Sequence, residues 1–200
     1  VRLTVSCDHN TAFPLYLRIP GWCRNFHVEV NGQSAACDPR PGHYVRMERT
    51  WATGDVVTIA MEMVLGLTTW PRTGSVTVDR GPLSYSLKIG ERQQRCGGTD
   101  TWPEWEVFPT TPWNYGLLLD TTDPLAGFKV VEKGRGPDQP WTLETAPIEI
   151  SAPAKRIPAW KTVNETVDVL RDGPIRSTQP VETVKLVPLG CARLRMACLP

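Results

Sequence analysis

The amino-acid sequence predicts an all-β protein of two consecutive antiparallel β-sandwich (jelly-roll-like) domains, and three observations carry that prediction. Apolar residues recur with period two in short segments, as on strands that bury one face. The 19 prolines and 16 glycines of the 200 residues are scattered singly between those segments and form no tract, the habit of many turns. Nowhere does i, i+3, i+4, i+7 apolar spacing last three turns without a proline, so no major helix is expected.

The elements follow in order. VRLTV reads as strand from the first residues. In PLYLRI, Leu15, Leu17 and Ile19 share one side, and Tyr16 and Arg18 the other. Pro20 then removes a ladder donor, Gly21 permits a bend, and Trp22 is placed to plug the end of the core, as Trp51 is after its own strand. In FHVEV, Phe26, Val28 and Val30 align, and Asn31-Gly32 supplies the positive φ of a two-residue hairpin turn. HYVRMER sets Val45 and Met47 against Tyr44, Arg46 and Glu48. After Thr53-Gly54-Asp55, DVVTIAMEM aligns Val57, Ile59, Met61 and Met63. In SVTVDRGPLSYSLKI, Gly81-Pro82 divides two strands, the second with Leu83, Tyr85, Leu87 and Ile89 opposite Ser84, Ser86 and Lys88.

The stretch 90–101, GERQQRCGGTDT, is polar and loses this alternation. It marks the expected boundary: a first sandwich over 1–90, a linker at 91–97, and a second sandwich over 98–200. Farther on, APIEISAPAKRIPAW, ETVDVL and VETVKLVPLG read as short strands interrupted by prolines. CARLRMACLP sends Ala192, Leu194, Met196 and Cys198 inward, and Arg193 and Arg195 outward.

Twenty-two basic and 21 acidic side chains nearly cancel, which argues against a nucleic-acid surface. No apolar stretch is long enough to span a membrane as a helix, and no secretion signal opens the chain. A strand at Val1 is the expectation for a segment of something longer. The six cysteines lack C-x-x-C spacing, so mostly free, buried thiols and no metal site are expected.

Signatures of serine hydrolases, P-loops and dinucleotide sites are missing from the sequence. His9, His27 and His43 fall in turns or on outer faces and read as solvated. Glu104, Glu106, Asp120 and Asp123 lie near aromatic residues, but acids this common do not define the carboxylate pair of a glycosidase. No catalytic residue is assigned. Trp102, Trp105, Trp113 and Tyr115 crowd into fourteen residues and are the candidate carbohydrate contacts, because flat exposed aromatics stack on sugar rings. Packing between the two domains is the competing explanation. Asn164-Glu165-Thr166 is a formal glycosylation sequon, read as accidental in a bacterial-looking chain.

LRIPGW (17–22), VNG (30–32), the Tyr44–Trp51 run, GD (54–55), RGPLSY (80–85), PWNY (112–115), RIPAW (156–160) and LVPLGCARLRMACLP (186–200) occur in one order. Together they resemble the C-terminal region of the β-L-arabinofuranosidases of glycoside hydrolase family 127. The resemblance implies a bacterial plant-glycan hydrolase with an N-terminal (α/α)6 barrel followed by two β-sandwiches, the first of which, over 1–90, lacks its N-terminal strand here and so is expected to leave an unpaired sheet edge near Val1–Cys7. It implies hydrolysis of a terminal furanosidic bond with retention, by a glutamate and a zinc-held cysteine nucleophile in the barrel. The adjacent cysteine pair of that site has no counterpart here, so no catalytic or metal residue is carried over, and zinc is expected only in the barrel. By itself the chain is expected to be inactive. Its implied partners are its own barrel, an oligosaccharide and a second copy. The alternative is an autonomous carbohydrate-binding module. The compartment is unassigned, with the cytoplasm favoured over the periplasm or secretion.

Overall fold

The computed structural model describes residues 1–134, 136–164, 166–169 and 175–200. They form two compact units, Val1–Val64 and Leu65–Pro200. Both are antiparallel β throughout, and among the described residues the one helical element is a 3₁₀ turn at Leu189–Cys191. Among the described residues no helix is long and apolar enough to cross a membrane.

The first unit holds β1 (Arg2–Thr4), β2 (Thr11–Arg18), β3 (Phe26–Val30), β4 (Gln33–Ser34), β5 (Tyr44–Trp51) and β6 (Val56–Met61). A four-stranded sheet in the order β1-β6-β3-β4 and a two-stranded β2-β5 sheet share one core. Alternation places that core: Leu17, Val45, Val28, Val30, Val57 and Ile59 are buried while Tyr16, Arg18, Tyr44 and Thr58 are exposed. Each fully buried aliphatic side chain contributes about 1.5–3 kcal/mol. Trp51 is fully buried and its indole N–H donates to the Phe13 carbonyl at 3.0 Å. Trp22 packs half-buried on the same core. Asn31 and Gly32, at φ 53° and 78°, close the β3–β4 hairpin with the twist that two-residue turns favour. Met63 lies beyond β6 and is exposed, because the ladder ends at Met61. β1 is an edge strand, with Val1 and Leu3 open to solvent.

The second unit holds β7 (Leu65–Thr69), β8 (Val76–Arg80), β9 (Leu83–Leu87), β10 (Glu91–Gly98), β11 (Pro103–Pro109), β12 (Tyr115–Leu117), β13 (Lys129–Glu132), β14 (Ile148–Arg156), β15 (Thr162–Val163), β16 (Thr166–Val167) and β17 (Val181–Pro188). Seven of them make one sheet in the order β12-β14-β17-β9-β8-β7, with β13 also on β14. One face carries the main core around Tyr85, Leu87, Ile150 and Leu186. The other is covered by Leu143, Ala146, Cys191 and Ala192 against Val187. With both faces covered, Ser86 is buried although alternation puts it outward; its hydroxyl accepts the Met196 N–H at 2.8 Å. Pro153 sits inside β14 without breaking it. Its carbonyl accepts the Leu118 N–H, so its donor-less nitrogen faces the same side, at the gap between β13 and β12, where the ladder lacks a partner.

The domain boundary needs correction. It is expected at 90, but the compact units divide after Val64. β9 pairs with β17 through Leu87↔Leu186, Ser86↔Val187 and Tyr85↔Pro188, which ties β7, β8 and β9 to the second unit. Alternation reports which side of a strand is buried and is silent about its neighbour. Residues 91–97 are not a linker either. They form most of β10, paired with β11 in a two-stranded sheet that is largely exposed on both faces, so no apolar stripe is required. Leu170 of ETVDVL and Glu165 of the sequon lie outside the described residues.

Candidate functional site

The β10–β11 hairpin sets the first two candidate aromatics. A bulge between Arg95 and Gly97 twists its outer end, and Thr99 and Trp102 close the turn, each donating its backbone N–H to the other residue at 3.0 Å. Trp102 is 79% exposed and Trp105, opposite Arg95, is 52% exposed. The other two candidates lie elsewhere. Trp113 is half-buried and meets Trp160 edge-to-face, centroids 5.3 Å apart. Tyr115 is buried and its hydroxyl donates to Glu182 at 2.8 Å; burial first, and the carboxylate second, raise its pKa. The PWNY and RIPAW motifs brace one another, since the Asn114 amide donates to the carbonyls of Ile157 and Trp160, both at 3.0 Å. The Trp160 indole donates in turn to Asp168. The four residues therefore form no single exposed platform: two stand on the hairpin, and two are built into the packing of the second unit.

Trp113 also lines a cleft of about 300 Å³ between the base of the hairpin and the C-terminal segment. Phe108, Trp113 and Met196 give it apolar surface, and Glu106, Thr162 and Arg195 give it polar groups. The Arg92 guanidinium lies 4.9 Å from the centre of the Phe108 ring and fixes it by a cation–π contact. From the sequence, Glu106 is only one of four common acids and Arg195 only an outward residue. Their convergence depends on β11 and residues 194–196, far apart in sequence, lining the same cleft.

A second feature has no sequence signal beyond an acid between two isoleucines. Glu149, on β14, is 5% exposed. Its carboxylate meets the ammonium groups of Lys88 at 2.6 Å, Lys133 at 2.8 Å and Lys185 at 3.5 Å. Burial alone pushes its pKa up, but the hydrogen bonds and charges of Lys133 and Lys88 prevail and hold it at about 2. This is a structural ion cluster by its geometry, with three cations facing one acid.

The remaining candidates stay apart. His9, His27 and His43 are exposed. Asp120 accepts the backbone N–H groups of Thr122 and Asp123, which lower its pKa, and so organises a turn. All six cysteines are free; Cys23 and Cys191 are buried, Cys96 is exposed and the others are half-buried. Burial raises the pKa of Cys23 and of Cys191. Among the described residues no three His, Cys, Asp or Glu side chains converge as metal ligands.

Residues 1–63 match the family model of the GH127 middle domain of β-L-arabinofuranosidases, nearly the extent of the first compact unit. The fold resembles a solved glycoside hydrolase (22% identity, TM-score 0.57), over 100% of this chain and 29% of that one. It also resembles a GH127 β-L-arabinofuranosidase from Geobacillus stearothermophilus T6 (23%, 0.58), over 98% of this chain and 27% of the other. A GH127 β-arabinofuranosidase matches similarly (22%, 0.62), over 100% and 29%. At such identities the likeness carries the fold, and the chain spans less than a third of each solved chain. No curated protein matches.

Proposed function

We propose that this chain is the non-catalytic accessory region of a bacterial glycoside hydrolase of the β-L-arabinofuranosidase type, which acts in plant-glycan breakdown. Its two β-units buttress an N-terminal (α/α)6 catalytic barrel, their partner in the intact protein. The observation that carries this reading is the pairing of matches: a middle-domain model over residues 1–63, and solved chains of which this one spans 27–29% over nearly its whole length. The rigid sheet, with core on both faces, and the Glu149 ion cluster suit a scaffold.

The test begins with the coding sequence upstream of Val1. The expected result is several hundred residues of helical pattern containing a glutamate and neighbouring cysteines. The encoded full-length protein should then hydrolyse an aryl β-L-arabinofuranoside while residues 1–200 alone do not. A start codon immediately upstream, or equal activity of the 200-residue chain, overturns the reading.

A further inference from the structure

We infer that the cleft at Trp113 is a binding site for one neutral sugar ring, and that it, rather than the exposed hairpin tryptophans, is the carbohydrate-contact site of this chain. The volume of about 300 Å³ is at the small end of ligand sites, enough for a single ring with its substituents. The lining is amphiphilic in the way a sugar is. Phe108, Trp113 and Met196 offer apolar surface to the C–H face of a ring, while Glu106, Thr162 and Arg195 offer an acceptor, a hydroxyl and a donor fork to its hydroxyl groups. Carboxylate and guanidinium cancel in charge, which selects a neutral ligand over a uronate or a phosphate.

The aromatic surface is also held in place before any ligand arrives. Trp113 is set edge-to-face by Trp160, itself pinned through its indole to Asp168, and Phe108 is held by Arg92. Arg195 is steadied by donation from its Nε to the Ala192 carbonyl at 3.1 Å. Pre-ordered contacts lower the entropy cost of binding. By contrast, Trp102 and Trp105 stand on a hairpin with no comparable support from a second layer. The inference is independent of the accessory-region reading, because it concerns the 200-residue chain alone.

The experiment is a titration of the ¹⁵N-labelled chain with neutral sugars (L-arabinose, D-xylose and D-galactose), read on the tryptophan indole N–H resonances. Galacturonate and phenol serve as charged and purely apolar controls, and Trp113→Phe assigns the Trp113 signal. Saturable shifts at Trp113 are expected with at least one neutral sugar, with Trp102 and Trp105 unmoved. Glu106→Gln and Arg195→Ala, both at exposed positions, are each expected to weaken binding about tenfold with the fold intact. Trp102→Ala with Trp105→Ala is expected to leave it unchanged. The inference is overturned by no saturable shift up to about 50 mM sugar. It is equally overturned by shifts confined to Trp102 and Trp105, by tighter binding of phenol or galacturonate than of any neutral sugar, or by sugar affinity indifferent to both Glu106→Gln and Arg195→Ala.

Discussion

Replacing Glu149 by Gln removes the one acid that three lysines face, and its cost can be worked from the structure. The carboxyl titrates at about 2 in the folded unit against an ordinary 4.5. A shift of that size is worth about 3 kcal/mol, and solvent screening at the partly exposed lysines trims it to about 2–3 kcal/mol. Because the folded value is depressed, this stabilisation is fully present above pH 4.5 and is lost as pH falls through about 2. About half of it is left near pH 3. Glu149→Gln should therefore destabilise the second unit by about 2–3 kcal/mol at pH 7, and by about half that at pH 3. Urea titrations at the two pH values, each read by a brief hydrogen-exchange pulse on peptides from β14 and β17, measure the gap. Peptides from β3 report the first unit as an internal control. A gap between wild type and variant that is the same at pH 7 and pH 3, or that appears in β3 peptides as well, refutes the electrostatic reasoning.

Three further outcomes are expected. Trp113→Ala should cost about 2–4 kcal/mol, somewhat less than a fully buried tryptophan, because it removes the edge contact with Trp160; a change in melting temperature too small to measure would count against its packing role. At Gly98 φ is 73° and an added methyl would run into the Trp102 carbonyl. Gly98→Ala should thus raise hydrogen exchange across β10 and β11 while leaving the seven-stranded sheet protected, and uniform protection in both would exclude it. Under Ellman's reagent, Cys96 should react first in the native protein, with Cys23 and Cys191 masked until unfolding; six equal rates would contradict the burial pattern.

Much of the local structure was legible in the sequence. Leu17, Val28, Val45, Val57 and Leu87 are buried where alternation puts them, and Asn31-Gly32 makes the hairpin turn its residue types require. Partnership was not legible. Nothing in LSYSL announces that β9 lies beside a strand far along the chain, or that Leu143, Ala146, Cys191 and Ala192 cover the face on which Ser86 is buried. The polar run at 91–97 concealed a strand, because alternation marks a strand only when one face is buried. At the candidate site, aromatic density drew attention to Trp102, Trp105, Trp113 and Tyr115 but could not say which stand out and which pack in. Glu106 and Arg195 share the cleft across a long sequence separation, a proximity that no local pattern encodes.

The pairing of β9 with β17 also sets a timetable. Every strand of the first unit finds its partners within Val1–Val64, so that unit can close while the rest is still being synthesised. In the second, Leu87 meets Leu186 and Val76 bridges to Leu199, contacts about a hundred residues or more apart, a separation that slows folding. As the chain leaves the ribosome, β9 must wait with one edge unsatisfied until β17 emerges, and it is then a template for the wrong strand. Translation speed between the codons for β9 and β17, and the chaperones that meet the waiting edge, should govern the yield of the second unit more than any substitution in the first.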